Sequence, residues 1–189
     1  SVCIYLDKSS NNTIAENTIT DSYIGIQIND SNNNLIKSNN ASTNNQGITV
    51  DFSSENIIQQ NDVVGNTIGI KLFASTNNTL LENRLVTNEQ GLHLGGKESY
   101  SINDTIIYES VNNTISKNRI DDNDYGVWIF LSSSNTFSNN NFLENTEQVN
   151  IKNTSFTQFT SVNSWDNGRE GNYWSDYNNK YPTAEKMPG

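Results

Sequence analysis

A period of 22 residues runs through this chain and constrains its fold more than any other feature. Glycine returns four times at this step, at Gly25, Gly47, Gly69 and Gly91. Two columns of asparagine follow the same period: Asn12, Asn34, Asn56, Asn78, Asn113 and Asn135, and Asn17, Asn39, Asn61, Asn83, Asn118 and Asn140. This agreement over at least five repeats indicates a solenoid, in which each repeat packs against its neighbours.

Each repeat is too short for a strand and a helix with their loops. The segments "GIQI", "GITV" and "GIKL" alternate as strands with one buried face do, and three short strands with corners fill 22 residues. The 35 asparagines among 189 residues favour turns over helices. We therefore predict an all-β fold, a parallel β-helix of about seven coils, right-handed because parallel crossovers almost always are.

The two asparagine columns have a structural interpretation. Equivalent residues of successive coils lie above one another, and a side-chain amide offers both a donor and an acceptor. Stacked amides can therefore bond to each other and to the corner backbone, where unpaired peptide groups would cost about 1–3 kcal/mol each. We predict structural ladders rather than catalytic or ligand-binding asparagines.

The repeat is interrupted once and ends in an aromatic segment. The step from Asn78 to Asn113 is 35 residues, which places a 13-residue insertion at about 96–110, and its "NDTIIYES" segment predicts a strand-bearing arm. After Asn140 the asparagine ladder is expected to end, and Trp165 and Trp174 are expected to cap the last coil. The predicted division is 1–160 for the repeats and 161–189 for the cap and tail.

The repeats "SSNNTIAENTITDSYIGIQI" and "SVNNTISKNRIDDNDYGVWI" and the terminal "NSWDNGREGNYWSDY" resemble the NosD-type branch of the carbohydrate-binding and sugar-hydrolase (CASH) β-helix superfamily. The terminal run is similar to that of secreted archaeal and bacterial members. The resemblance implies a right-handed β-helix that is exported to the cell surface or the extracellular space, or to the periplasm of a Gram-negative bacterium.

The NosD resemblance also raises the question of copper. Copper sites in proteins draw on His, Cys and Met, and this chain holds one of each, His93, Cys3 and Met187. These residues fall in the fourth coil, the first strand and the tail, so we predict neither a metal site nor another cofactor.

Charge and hydropathy exclude two classes of partner. The net charge of −10, with no run of Lys or Arg, argues against nucleic acid. No apolar stretch approaches the ~20 residues that a membrane-spanning helix needs.

One outward column is a candidate glycan-binding face. The register places Lys71, His93 and Trp128 on successive coils, where the indole could support a sugar ring while the imidazole and the ammonium bond its hydroxyls or carboxylate. The alternative is an ordinary solvent-facing column that contains the chain's one histidine. No column stacks two acids beside a base, so no catalytic residue is predicted.

Two functions remain open from the sequence. The preferred one is a non-enzymatic, exported structural or adhesive β-helix of a cell-surface layer, a filament or a longer surface protein. "SVCIYLDKSSNN" places Ile4 and Leu6 in register with Ile26 and Ile28, so we expect an open first coil that pairs with another copy or with adjoining β-helix coils. The alternative is a carbohydrate-binding or polysaccharide-processing domain.

The chain contains seven N-x-Ser/Thr sequons, which is about the number that its composition gives by chance. Their positions single out Asn29, Asn103 and Asn153 as candidate N-glycosylation sites. Asn103 lies in the insertion, and the other two lie at the ends of predicted strands.

Overall fold

A computed structural model describes residues 1–100, 105–152 and 161–180 and confirms the predicted right-handed parallel β-helix. The coils build three parallel sheets of seven, six and seven strands, which enclose a narrow apolar core. The long sheet has seven strands, β1 (Val2–Asp7), β4 (Ile24–Asn29), β7 (Gln46–Asp51), β10 (Ile68–Phe73), β13 (Gln90–Gly95), β19 (Tyr125–Phe130) and β23 (Glu147–Lys152).

The other two sheets are built from strands of two or three residues. The second sheet contains β2 (Thr13–Ala15), β5 (Leu35–Lys37), β8 (Ile57–Gln59), β11 (Thr79–Leu81), β17 (Thr114–Ser116) and β21 (Thr136–Ser138). The third sheet contains β3 (Thr18–Thr20), β6 (Asn40–Ser42), β9 (Asp62–Val64), β12 (Arg84–Val86), β18 (Arg119–Asp121), β22 (Asn141–Leu143) and β24 (Tyr173–Trp174).

The insertion forms an antiparallel hairpin of β14 (Lys97–Tyr100) and β15 (Thr105–Tyr108), as its alternation predicts. Beyond it, β16 (Ser110–Val111) pairs with β20 (Ser132–Ser133) at a corner. The helix α1 (Tyr177–Lys180) lies in the cap region.

The 22-residue register holds from coil to coil. Ile26 pairs with Ile48, and Ile70 with both Ile48 and Leu92, and all four side chains are fully buried. Apolar residues thus stack on residues of the same kind along the axis, which removes them from water in every coil. The core is a set of continuous apolar columns rather than one central cluster.

Hydrogen bonds run along both predicted asparagine columns. The Oδ1 atom of Asn56 accepts from the backbone N–H of Asn34 at 2.9 Å and from its Nδ2 at 3.0 Å, and the same pair of bonds links Asn39 to Asn61. Each ladder residue follows a corner residue with positive φ, 57° at Asn33 and 53° at Ser38. The amides therefore satisfy backbone groups that these tight corners take out of the sheets.

The structure adds two ladders that the sequence reasoning did not single out. A third asparagine column at the next corner contains Asn44, Asn66, Asn88, Asn123 and Asn145, and a serine column contains Ser31, Ser53, Ser75, Ser110 and Ser132. Both columns follow the same 22-residue step, so the period alone could have identified them.

The prediction that the ladders end at Asn140 is wrong. The backbone N–H and Nδ2 of Asn140 both donate to Oδ1 of Asn172, and those of Asn135 donate to Oδ1 of Asn163. The repeat spacing is lost here but the stacking is not, because the chain returns to the same corners after intervals of 28 and 32 residues. The division at residue 160 stays a prediction.

Aromatic rings stack on the last coil. Trp165 lies parallel to Phe137 with ring centroids 4.4 Å apart, and Trp174 lies parallel to Phe142 at 4.2 Å. Both tryptophans are partly buried and pack against the core. They shield the phenylalanines that form the end of two core columns.

Candidate functional site

The three predicted glycan-face residues lie side by side on the outer face of the long sheet. Lys71 of β10 is the register partner of His93 on β13, and His93 is the partner of Trp128 on β19. Neighbouring strands are about 4.8 Å apart, so the three side chains span roughly 10 Å across the strands. The structure therefore brings the three predicted residues together on neighbouring strands.

Side chains three residues apart contact each other on three neighbouring strands. The Nδ1 atom of His93 lies 2.7 Å from Oε1 of Gln90. One coil further, the rings of Tyr125 and Trp128 meet edge to face at 4.9 Å. On β23, Nδ2 of Asn150 donates to Oε2 of Glu147 at 2.7 Å. The backbone geometry thus sets a repeated pairing on this face.

The imidazole of His93 is half-buried and neutral at pH 7. Desolvation by burial and, secondarily, the nearby charge of Lys71 lower its pKa from 6.5 to about 4. The ring leans over Gly95, where an added β-carbon would lie 2.7 Å from Nε2. A side chain at position 95 would therefore push the ring away.

Lys71 is held by weak contacts. Its Nζ atom lies 3.5 Å from Oδ1 of Asp51 and 4.6 Å from the centre of the Phe73 ring, and its side chain is 21% exposed. Asp51 also accepts from Nε2 of Gln27 at 3.1 Å. Beside it, Oγ1 of Thr49 is buried without a hydrogen-bond partner in the described chain. The Lys71 ammonium has three N–H donors and only one long ion pair, so it can still donate a hydrogen bond to a ligand oxygen.

Aromatic rings lie beside both Lys71 and His93. Phe73 meets Phe52 at 5.6 Å, and Phe52 meets Tyr108 of the hairpin at 6.5 Å, so the insertion borders this face. On the other side, Nζ of Lys152 lies 5.0 Å from the centre of the Trp128 ring. We call the surface formed by Lys71, Phe73, His93, Tyr125 and Trp128 the aromatic–basic patch.

Several contributors to this patch were not predicted from the sequence. Phe73 and Asp51 belong to the next outward column, two positions after Lys71 and Thr49, and the register alone identifies that column. Gln90 and Tyr125 precede His93 and Trp128 by three positions. Their contacts depend on side-chain packing among residues that do not repeat, which the sequence period does not report.

The residues do not fit a copper site. His93 and Cys3 lie four strands apart in the long sheet, roughly 19 Å at ~4.8 Å per strand. Nδ1 of His93 already contacts Gln90, and Met187 lies outside the described residues. Within the described ranges, no group of three or more His, Cys, Asp or Glu is placed to hold a metal ion.

The remaining sequence candidates are spread along the chain. Asn29 lies in β4, and its Nδ2 donates to Oδ1 of Asp7 at 2.8 Å. Asn103 and Asn153 lie outside the described residues. Among the described residues, no helix is long and apolar enough to cross a membrane.

A cleft of about 400 Å³ lies between β23, the last strand of the long sheet, and the aromatic cap. Val149, Ile151, Trp165, Trp174 and Tyr177 line it. It contains none of the predicted site residues and is therefore separate from the aromatic–basic patch.

Comparison with solved structures identifies β-helix proteins of the same architecture. The D317A and T265N mutants of the periplasmic alginate epimerase AlgG match with TM-scores of 0.69 and 0.66 and with 21% and 20% identity, each over 84% of this chain and 37% of theirs. The A-module of the Azotobacter vinelandii mannuronan C-5 epimerase AlgE6 matches with a TM-score of 0.57 and 14% identity, over 91% of this chain and 56% of that one. This chain thus spans between about a third and just over half of these structures.

Comparison with curated proteins found no significant sequence match. Among family models, that of NosD, described as a periplasmic copper-binding protein, matches residues 1–179. The match covers the repeats, the hairpin and the aromatic cap, and the chain therefore belongs to the NosD family.

Proposed function

We propose that this chain is an exported carbohydrate-binding β-helix and that the aromatic–basic patch binds a polysaccharide. The observation that carries the proposal is the adjacency of Lys71, His93 and Trp128 on three neighbouring strands. They offer an ammonium donor, a neutral imidazole and an indole within one surface. A pyranose ring, which has an apolar face and a rim of oxygen atoms, is complementary to such a set.

Neighbouring folds support a polysaccharide ligand. The solved structures with this architecture are named as an alginate epimerase and a mannuronan C-5 epimerase, both of which act on polysaccharide chains. Two ammonium groups, those of Lys71 in the patch and of Lys152 over the Trp128 ring, can pair with ligand carboxylates. An acidic polysaccharide is therefore the first ligand to test.

The scaffold role preferred from the sequence has less support. It becomes the second candidate, favoured by one observation: among the described strands, β1 lies at the end of the long sheet, and Val2 and Tyr5 on it are 38% and 52% exposed. Such an edge can pair with a strand of another copy or of an adjoining β-helix coil.

The family description supports export, because NosD is described as periplasmic. A cell-surface or extracellular position is part of the proposal. Fractionation of the native cells with an antibody against this chain would separate the periplasm from the surface.

The binding experiment uses isothermal titration with mannuronate hexasaccharide as the acidic probe and cellohexaose as the neutral one. A Trp128→Ala, His93→Ala double variant should lose at least about tenfold in affinity for the probe that binds, because it removes both the ring and the imidazole. The matched control is an Arg84→Ala, Arg119→Ala variant, which changes an outward pair on the third sheet and should bind normally. Equal affinity of the patch variant and the native chain would contradict the proposal.

Sedimentation velocity over a hundredfold range of concentration separates the two candidates. A carbohydrate-binding domain that acts alone should sediment as one species with a mass of 21.1 kDa. Growth into larger species, without binding of either hexasaccharide, would favour the scaffold role.

A further inference from the structure

We propose that Gln90 is a positioning residue that holds His93 in the tautomer protonated on Nδ1, so that Nε2 accepts a hydrogen bond from a ligand hydroxyl. The ligand in this inference rests on the proposed carbohydrate function, whereas the contact between Gln90 and His93 does not depend on it. It assigns a chemical preference to the patch: the group that meets His93 must be an O–H donor, whereas the group that meets Lys71 must be an oxygen acceptor.

The contact between the two side chains fixes the tautomer. Oε1 of Gln90 is an amide oxygen and can only accept, and it lies 2.7 Å from Nδ1 of His93. With the Gln90 amide oriented in this way, Nδ1 carries the hydrogen and Nε2 keeps a lone pair. The same direction of donation recurs on β23, where Asn150 donates to Glu147 three residues earlier.

Gly95 keeps the accepting nitrogen open. In the column of position 95, the neighbouring coils carry Phe73 and Phe130. A β-carbon at Gly95 would lie 2.7 Å from Nε2 and 3.2 Å from a ring carbon of Phe73. Within the described chain, Nε2 has no partner and is not among the fully buried unpartnered atoms. It is thus the ring nitrogen left to accept from a ligand hydroxyl, beside the ring of Phe73.

The surrounding charges favour the neutral ring. Lys71 faces it from β10, and the carboxylate of Asp51 on β7 contacts Lys71 and Gln27. Tyr125 and Trp128 face it from β19, and Glu147 lies one strand further and bonds to Asn150. Burial and the lysine charge lower the pKa of His93 to about 4, so that the acceptor state persists across the physiological range.

Because His93 is the chain's one histidine, every imidazole nitrogen signal in the spectrum belongs to this residue. Nitrogen-15 NMR of the free native chain at pH 7 should show Nδ1 protonated and Nε2 unprotonated. Gln90→Leu should mix the two tautomers, because the acceptor is lost. Gln90→Glu should keep Nδ1 protonated and raise the pKa of His93, because a carboxylate stabilises the imidazolium.

Gln46→Leu is the matched control. Gln46 occupies the same column on β7 but precedes Thr49 instead of a histidine, so its replacement should leave the His93 spectrum unchanged. A native spectrum with Nε2 protonated, or a Gln90→Leu spectrum identical to the native one, would overturn the proposal.

Titration with mannuronate hexasaccharide and cellohexaose tests the ligand side. The hexasaccharide that binds should shift the Nε2 signal while Nδ1 stays protonated, and Gln90→Leu should weaken its binding about tenfold, as loss of one oriented hydrogen bond predicts. Binding that leaves Nε2 unshifted would overturn the inference alone. Binding of neither sugar, with the predicted tautomer present, would instead contradict the proposed function and the hydroxyl contact that depends on it.

Discussion

The asparagine corners and the outer face of the long sheet differ in how strictly their residues repeat from coil to coil. At the corners the same residue type returns in coil after coil, and each amide bonds to its equivalent 22 residues away. On the outer face the column that contains Lys71 changes its residue in every coil, running Tyr5, Gln27, Thr49, Lys71, His93, Trp128 and Asn150.

This difference has a physical origin. A buried corner can be stacked only if each coil presents the partner that the next coil needs, so repetition follows from the requirement that buried polar groups be paired. An outward side chain has no such requirement because water can satisfy it. The place where the repeat varies is therefore where a solenoid can acquire a specific surface.

The largest effect should come from breaking a ladder. Asn61→Leu is close in size but removes the acceptor of the Asn39 backbone N–H and the donor to the Ile36 carbonyl, both buried. Two unpaired groups at about 1–3 kcal/mol each predict a loss of up to about 6 kcal/mol in the free energy of unfolding, measured by denaturant titration. The exposed Asn45 is the control, and Asn45→Leu should change stability by less than about 0.5 kcal/mol. Similar losses in both variants would mean that the ladder is not what stabilises the corner.

Removing a core side chain should have a smaller but clear effect. Ile70 is fully buried between Ile48 and Leu92, and Ile70→Ala should cost roughly 2–5 kcal/mol because it opens a cavity in a stacked column. Gln27→Ala, on the outward face, should cost under about 0.5 kcal/mol. Equal unfolding midpoints and slopes in the two variants would contradict the assignment of Ile70 to the buried face and of Gln27 to the outward face of the long sheet.

The smallest predicted effect is the pH dependence that His93 introduces. The unfolded chain binds a proton at this residue with a pKa near 6.5, whereas the native chain binds it at about 4. Between these values the unfolded state carries more protons, so stability falls as the pH decreases from about 6.5 to 4. From pH 7 to pH 5 we expect a loss of about 1–2 kcal/mol that His93→Gln removes. The same loss in that variant would assign the pH dependence to other groups.

The repeat predicted the fold almost completely but the site only in part. The burial of stacked positions such as Ile26, Ile48 and Ile70 could be predicted, because the need to bury an apolar side chain in every coil produces the period itself. The adjacency of Lys71, His93 and Trp128 followed from the same register. The contact of Gln90 with His93 did not, and neither did the full burial of Thr49 in an outward column, because both depend on side-chain packing among residues that do not repeat.

The most direct test of the central claim is to map where a polysaccharide binds. Amide chemical shifts of the labelled chain, followed during titration with mannuronate hexasaccharide and with cellohexaose, distinguish the outer face of the long sheet from every other surface. For the sugar that binds, the claim predicts that the largest changes cluster at Lys71, His93 and Trp128, with little change at Arg84 and Arg119 on the third sheet. Changes centred on the third sheet, or no changes with either sugar, would contradict it.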